Sequence, residues 1–453
     1  MKFPNDFIWG AACSSYQSEG AWNIDGKGPS IWDDFSHDSG KGHVLGDETG
    51  DVSCDSYHRY KEDIALMKKC GLKVFRLSIS WPRVIPNGVG DVNQAGLDYY
   101  DNYVNELIAN DIEPWITLYH WDLPSALQEK GGWLNRDTVD AFGAYAKLIG
   151  KHFDGRVTHY MPLNEPQCVV QCGHNGLDHA PGIPLNDINM LKTYHHLALA
   201  QGVAAAALRE TSSQSIMVGT AMCGRICYPS EQGQAAEDAA YDAMFKLTDD
   251  NWVFTYNIIA DAMLLKKYPD DAPAFIKEFE KTIPQSDWDL MADFDFFGMN
   301  IYNGNAVNIS GTPVNPPQGA PMTAIRWYMT QEAMRYGLEF IYKRYGLPIV
   351  ITENGQSCND RIFLDDQVHD PDRIDFLNRY LLEMATAMEN GVPVKGYLHW
   401  SFLDNFEWAA GYRERFGLVY IDYATQQRIL KDSAYWYTKV IQTNGEHLFN
   451  YAK

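Results

Sequence analysis

At 453 residues, 45% of them hydrophobic, the chain has ample material for a buried core, and global disorder is excluded. Its formal net charge of −22 repels phosphate backbones and anionic lipid, which excludes nucleic acid and membrane surfaces as partners. The 8 cysteines are too thinly spread for a disulfide scaffold, and no apolar run is long enough to span a bilayer.

The first ten residues carry a single lysine and no apolar run of signal length, so the expectation is a complete, cytoplasmic chain. An apolar segment over 7–12 predicts the first strand, followed by Gln17 and Glu19. Residues 55–70 have helical spacing and end at Gly71, a good helix stop. The next strand, 73–79, holds Arg76 inside an otherwise apolar run. An arginine there requires a buried acidic partner. A helix over 97–110 leads to a strand over 113–119, after which come His120 and Asp122.

A helix over 137–153 precedes a strand over 157–163 that runs into Asn164 and Glu165. The alanine-rich stretch 198–209 predicts another helix. Strands follow over 215–220, 294–301 (closing on Asn300 and Tyr302), 348–352 (closing on Glu353 and Asn354) and 394–401 (opening a segment from Trp400 to Trp408). Most are nearly continuous in apolarity, as strands covered on both faces should be. No repeat, low-complexity tract or linker interrupts them. Eight strand-then-helix units predict an α/β fold, a (β/α)8 barrel forming one domain over 1–453 with long loops. The sequence leaves association into a homo-oligomer open.

In such a barrel the strand C-termini converge on one rim, so residues distant in sequence face one pocket. Glu165 closes the fourth expected strand and Glu353 the seventh, across the rim from each other. Two carboxyls flanking an anomeric carbon are what glycoside cleavage needs, one delivering a proton and one stabilising positive charge on the sugar. Arg76 can keep one carboxylate ionised. The other has to hold a proton, helped by its neighbour's charge. Residue types alone leave open which is which. The 13 tryptophans and 27 tyrosines suit a site that stacks on the flat apolar faces of sugars.

Several segments carry a resemblance over essentially the whole chain. Asn164-Glu165-Pro166 and Ile351-Thr352-Glu353-Asn354-Gly355 resemble the two signatures of glycoside hydrolase family 1, the β-glucosidase family. So do Phe7-Ile8-Trp9-Gly10, Ser15-Tyr16-Gln17-Ser18-Glu19-Gly20, and Phe75-Arg76-Leu77-Ser78 through Arg83. Tyr119-His120-Trp121-Asp122, His179-Ala180-Pro181-Gly182, the run from His399 to Trp408, and Arg415-Phe416-Gly417 complete the series in the family's order. The resemblance implies a retaining double displacement with Glu353 as nucleophile, Glu165 as acid/base and a carboxyl separation of about 5 Å. It implies that Arg76 and Tyr302 hold Glu353 and that Asn164 bonds the sugar 2-hydroxyl. Gln17, His120, Glu407 and Trp408 would bind the remaining hydroxyls, with Trp121 beside them, Trp400 as apolar floor and Trp327 against the leaving group. It implies no metal and no organic cofactor, with β-glycosides or short oligosaccharides as the partners.

One branch of the family cleaves 6-phosphorylated sugars. It has a small residue at the position of Glu407, and a lysine and a tyrosine at those of Glu414 and Phe416. Two carboxylates here repel a phosphate dianion, so an unphosphorylated glucoside is expected, with Glu407 taking paired hydroxyls. Activity mainly on β-galactosides or β-fucosides, or glycosyl transfer, would use the same residues. A non-catalytic binding homologue usually lacks one glutamate, and a plant-type thioglucosidase has glutamine as acid/base; both glutamates are present here.

Some residues depart from the family pattern. Pro162-Leu163 replaces Thr-Phe, so the strand end carrying Glu165 is expected to shift slightly. Gln167, Gln171, Cys172, His174 and Asp178 replace apolar or aromatic residues, and Arg326 a glycine, which points to a polar leaving-group site. For His174 a solvated loop position is the alternative. The C-x3-C pairs Cys168/Cys172 and Cys223/Cys227 lack zinc-ribbon spacing and are expected to pack as ordinary core thiols.

Overall fold

The computed structural model describes residues 3–291 and 293–450. Eight parallel strands carry the fold: β1 (Ile8–Ala12), β2 (Val74–Ser78), β3 (Glu113–Tyr119), β4 (His159–Leu163), β5 (Met217–Val218), β6 (Phe297–Asn300), β7 (Ile349–Asn354) and β8 (Val394–Trp400). Each lies within two residues of its predicted place at the C-terminal end. They pair in the order β5-β4-β3-β2-β1-β8-β7-β6. Parallel bridges Gly219–Phe296 and Met222–Met299 join the two outer strands, so the sheet closes on itself. The Met222 N–H donates to the Gly298 carbonyl at 2.9 Å, and the Asn300 N–H to the Met222 carbonyl at 2.8 Å.

β5 is the shortest strand, and with β6 it falls furthest short of its predicted length. Its continuation must pass very close to β6. A Cβ on Gly219 would sit 2.1 Å from the Phe296 ring, and one on Gly298 would sit 1.9 Å from the Thr220 carbonyl. Only glycine permits that approach.

A layer of buried side chains fills the barrel: Val74, Trp115, Met161, Ala221, Phe296, Val350 and Leu398, with Ile8 against them. Strand side chains alternate, so residues two positions further on face the same interior one layer higher. Those residues include Arg76, Thr117, Thr352 and Trp400. The apolar layer is thus a floor, and the polar layer above it begins the site.

Helices Ser56–Lys69, Gln94–Ala109, Asp137–His152 and Asp187–Thr211 match the expected ones, the last being much longer than the alanine-rich core that signals it. It starts where the Asn186 side chain accepts from the Asn189 N–H at 3.0 Å, a cap twelve residues ahead of that core. Gly71 takes φ +76°, the left-handed turn expected after the first of these helices. Among the described residues no helix is long and apolar enough to cross a membrane.

Candidate active site

The strand ends open into one cavity of about 860 Å³. Glu165 follows β4 directly and takes φ +44°, a left-handed conformation at the N-terminus of the short helix Pro166–Val170. Its N–H donates to the Ala221 carbonyl at 2.7 Å, and the Asn164 N–H to the Tyr119 carbonyl at 2.9 Å. The strand end is therefore tied to neighbours on both sides. Pro162 sits inside β4, which runs on to Leu163.

Glu353, near the end of β7, is 3% exposed. Its Oε1 accepts from Arg76 Nη1 at 2.6 Å, and its Oε2 from the Tyr302 hydroxyl at 2.7 Å. Arg76 thus has the buried acidic partner its position demanded. The same guanidinium donates from Nε to Thr117 Oγ1 at 2.8 Å and from Nη2 to Asn164 Oδ1 at 2.7 Å. Asn300 connects the second carboxyl, donating to Glu165 Oε1 at 2.7 Å and to Asn164 Oδ1 at 3.1 Å. Thr352 orients that amide by donating to Asn300 Oδ1 at 2.6 Å. One hydrogen-bonded chain therefore runs Glu353–Arg76–Asn164–Asn300–Glu165.

Asn164 Nδ2 lies 3.1 Å from His120 Nε2. An amide N–H donates, so Nε2 must accept and the imidazole proton sits on Nδ1. Burial and the nearby Arg76 hold His120 well below its ordinary pKa, so the ring is neutral. Around it, His120 stacks on Trp400 with centroids 5.6 Å apart, and Trp121 packs on Trp408 at 4.6 Å. Opposite, Tyr302 meets Trp327 edge-on at 5.4 Å and Phe416 at 6.1 Å.

Burial pushes Glu353 up to about 7; Arg76 and Tyr302 pull it down, and Glu165 adds to the rise. Burial also raises Glu165, against the pull of its Asn300 bond. Two such neighbours share a proton near neutrality. Among the described residues no cation bonds Glu165, while Arg76 and Tyr302 both donate to Glu353. The charge belongs on Glu353 and the proton on Glu165.

Eleven of the thirteen site residues expected from sequence line this cavity: Asn164, Glu165, His120, Trp121, Tyr302, Trp327, Glu353, Trp400, Glu407, Trp408 and Phe416. Arg76 lies beneath it. Gln17 is buried beside it, its Nε2 donating to the Phe406 carbonyl at 2.9 Å and Asn405 Oδ1 at 3.2 Å. At 3.4 Å it also reaches Glu407 Oε2, so it positions the loop that presents Glu407. His174 is neither cavity-lining nor solvated. It is 7% exposed, with Nδ1 at 2.8 Å from the Ile183 carbonyl. Gln167 is fully buried under the site, whereas Gln171, Cys172 and Asp178 do face the cavity. Arg326 takes φ +65°, which explains why glycine suits that position.

Asn300 stood out in the sequence only as a polar strand end and Thr117 gave no signal beyond strand position, whereas Thr352 belonged to a family signature and Cys223 to a C-x3-C pair. On the far side Arg225, Asp250, Asn251, Asn303 and Asn305 line the cavity. They come from loops whose course the strand pattern does not predict.

Glu407 supplies a stability prediction. Burial, then Glu353, Glu414 and Glu165, push its carboxyl up to about 8. The unfolded chain ionises this group at lower pH than the fold does. Its favourable contribution is therefore full below the ordinary carboxylate pKa and lost as pH rises toward about 8. Glu407→Gln is expected to raise Tm at about pH 9 while changing it little at about pH 5. Thermal denaturation at the two pH values checks this; an equal shift at both would contradict it.

The glycosyl hydrolase family 1 model matches residues 1–446. A relative named beta-glucosidase A from Acetivibrio thermocellus is 42% identical, over 98% of this chain and 99% of its own. A 1,4-beta-D-glucan glucohydrolase from Thermotoga neapolitana is 40% identical, over 98% and 99%. Among solved structures, a beta-glucosidase from Thermotoga maritima in complex with deoxynojirimycin superposes with a TM-score of 0.87 at 39% identity, covering 98% of this chain and 99% of that one.

Proposed function

The chain belongs to glycosyl hydrolase family 1, and from that premise we propose that it is a β-glucosidase, removing terminal non-reducing, unphosphorylated β-D-glucosyl residues with retention of configuration. The observation that carries the assignment of roles is the asymmetry of the two glutamates. Glu353 accepts from a guanidinium and a phenol, whereas Glu165 meets an amide and two neutral thiols and, among the described residues, no cation.

In the first step Glu353 attacks the anomeric carbon while Glu165 gives its proton to the glycosidic oxygen, which leaves as the aglycone alcohol. A covalent glycosyl ester on Glu353 remains. Glu165, now a carboxylate, takes a proton from water, whose oxygen attacks the same carbon and releases Glu353. The two inversions give net retention.

Asn164 has both Oδ1 bonds and one N–H committed within the protein, so its second N–H is free to meet the sugar 2-hydroxyl. The His120 Nδ1–H and the Glu407 carboxyl are available to other hydroxyls, and Trp400 offers a flat apolar face below the ring. Glu407 and Glu414 disfavour a 6-phosphate. The whole chain acts as one catalytic unit in this reading.

The leaving-group end is polar, lined by Gln171, Asn175, Asp178, Arg225, Asp250 and Asn251. A second sugar fits that chemistry better than an alkyl chain. The test is a kcat/KM profile over nitrophenyl β-glucoside, β-galactoside, β-fucoside and 6-phospho-β-glucoside, together with cellobiose and octyl glucoside. The glucoside should lead the nitrophenyl series, the phosphorylated one should be inert, and cellobiose should exceed octyl glucoside. Preferred turnover of the 6-phosphoglucoside would defeat the substrate assignment, and a higher kcat/KM on octyl glucoside would defeat the polar-aglycone reading.

A further inference from the structure

The mechanism makes no use of two cysteines that stand beside Glu165. Cys168 lies one helical turn beyond it, and Cys223 is on the segment that follows β5. Their sulfurs are 3.5 Å apart. Both sulfurs and a Glu165 carboxyl oxygen lie within 4.8 Å of one another, and all three residues line the catalytic cavity. We propose that Glu165, Cys168 and Cys223 form a binding site for a thiophilic divalent cation, such as Zn²⁺ or Cd²⁺, whose occupancy withdraws Glu165 from catalysis and inhibits the enzyme.

The donor set decides the class of ion. Two thiolates and one carboxylate suit borderline-to-soft cations and reject Mg²⁺ and Ca²⁺, which take all-oxygen shells. The spacing is close to that of a tetrahedral centre. Zinc–sulfur bonds of about 2.3 Å place two ligand sulfurs about 3.8 Å apart, so the thiols need to separate only slightly. The three ligands leave a fourth position facing the cavity, open to water. Binding is an exchange without redox change: metal–sulfur and metal–oxygen bonds form, and the two thiol protons and the Glu165 proton pass to solvent.

The sequence spacing pointed to different pairs. Cys227 lies on a short strand, Cys227–Pro229, and Cys172, which also meets the Cys168 thiol, forms a second group with Asp178 and His179, also within 4.8 Å of one another. That second group lies in the same cavity but does not include a catalytic carboxyl. The barrel, by placing the ends of β4 and β5 side by side, joins Cys168 to Cys223 across the 55 residues between them.

The inhibition rests on the reading of Glu165 as acid/base; the binding does not. The full chain, stripped with chelator, is titrated with Cd²⁺ while ultraviolet sulfur-to-cadmium charge transfer and nitrophenyl β-glucoside hydrolysis are followed together. One Cd²⁺ per chain should bind with that band, and hydrolysis should fall in step with it. The Cys168→Ala/Cys223→Ala variant should lose the band and, relative to its own metal-free rate, need at least about tenfold more Cd²⁺ for half-inhibition. Glu165→Gln should keep a band but bind Cd²⁺ more weakly, a readout independent of turnover and of the double variant's folding. Survival of the band in the double variant, its loss in Cys172→Ala alone, or full hydrolysis at saturating Cd²⁺ would each overturn the proposal. A failed acid/base assignment shows separately, in the metal-free leaving-group dependence of Glu165→Ala.

Discussion

Glu353→Ala is expected to lower kcat/KM on nitrophenyl β-glucoside on the order of 10⁴-fold or more, and added azide is expected to restore turnover with an inverted product. Among the described residues Glu353 is the only carboxylate paired with Arg76, at 2.6 Å, and the Tyr302 hydroxyl completes its orientation at 2.7 Å. With the side chain gone, the first displacement has no nucleophile, and Glu165 cannot substitute because it stands on the leaving-group side. Alanine leaves a space lined by a guanidinium and a phenol, which suits a small anion. Azide attacking from there performs one displacement, so the product is the α-glucosyl azide. Removing one partner of a buried ion pair typically costs about 3–5 kcal/mol, so stability is to be checked alongside. The experiment is steady-state kinetics with NMR assignment of the anomer. Undiminished hydrolysis, or a β-azide product from this variant, would reverse the assignment of roles.

Glu165→Ala is expected to split its effect by leaving group. The leaving glucose of cellobiose departs as an alkoxide unless protonated, and general-acid help is worth about 10²–10⁴-fold. A dinitrophenolate departs without a proton, so formation of the glycosyl ester from dinitrophenyl β-glucoside should be nearly intact. Hydrolysis of that ester, which needs Glu165 as base, then limits the rate. Azide attacks the ester a second time from the opposite face, so here rescue yields the β-glucosyl azide. The pH profile gives an independent check. Burial raises the Glu165 carboxyl, and the protonated form is the active acid, so activity on cellobiose should fall as pH rises through that pKa. In Glu165→Ala this alkaline limb should vanish. Equal losses on both substrates with the limb intact would place the acid elsewhere.

Much of this was legible before any coordinates. All eight strands were readable because parallel strands covered on both faces leave near-continuous apolar runs, and β5 was misjudged only in length, where glycines let it crowd β6. Arg76 was legible because a charge inside such a run needs a partner, although the pattern could not say that the partner was Glu353. Asn300 was underrated, since a polar strand end is common and its bond to Glu165 crosses from β6 to β4. Gln17 was legible as a polar group near the strand ends, but its bonds to Phe406, Asn405 and Glu407 cross nearly 390 residues of sequence and depend on the fold. For His174 a leaving-group position and a solvated loop position both stayed open, since nothing in the sequence signals that the loop folds back to offer it the Ile183 carbonyl.

The sequence by itself determined the barrel, the rim on which the polar residues gather, the two glutamates and the family resemblance. These follow from local patterning and from residue types at strand ends, which survive without knowledge of neighbours. The tertiary structure decided what depends on contacts between strands. Arg76 from β2 and Tyr302 from beyond β6 converge on Glu353, and Asn300 from β6 bonds Glu165. The charge carried by a buried carboxyl is set by the donors around it, and those donors arrive from strands that only ring closure brings together.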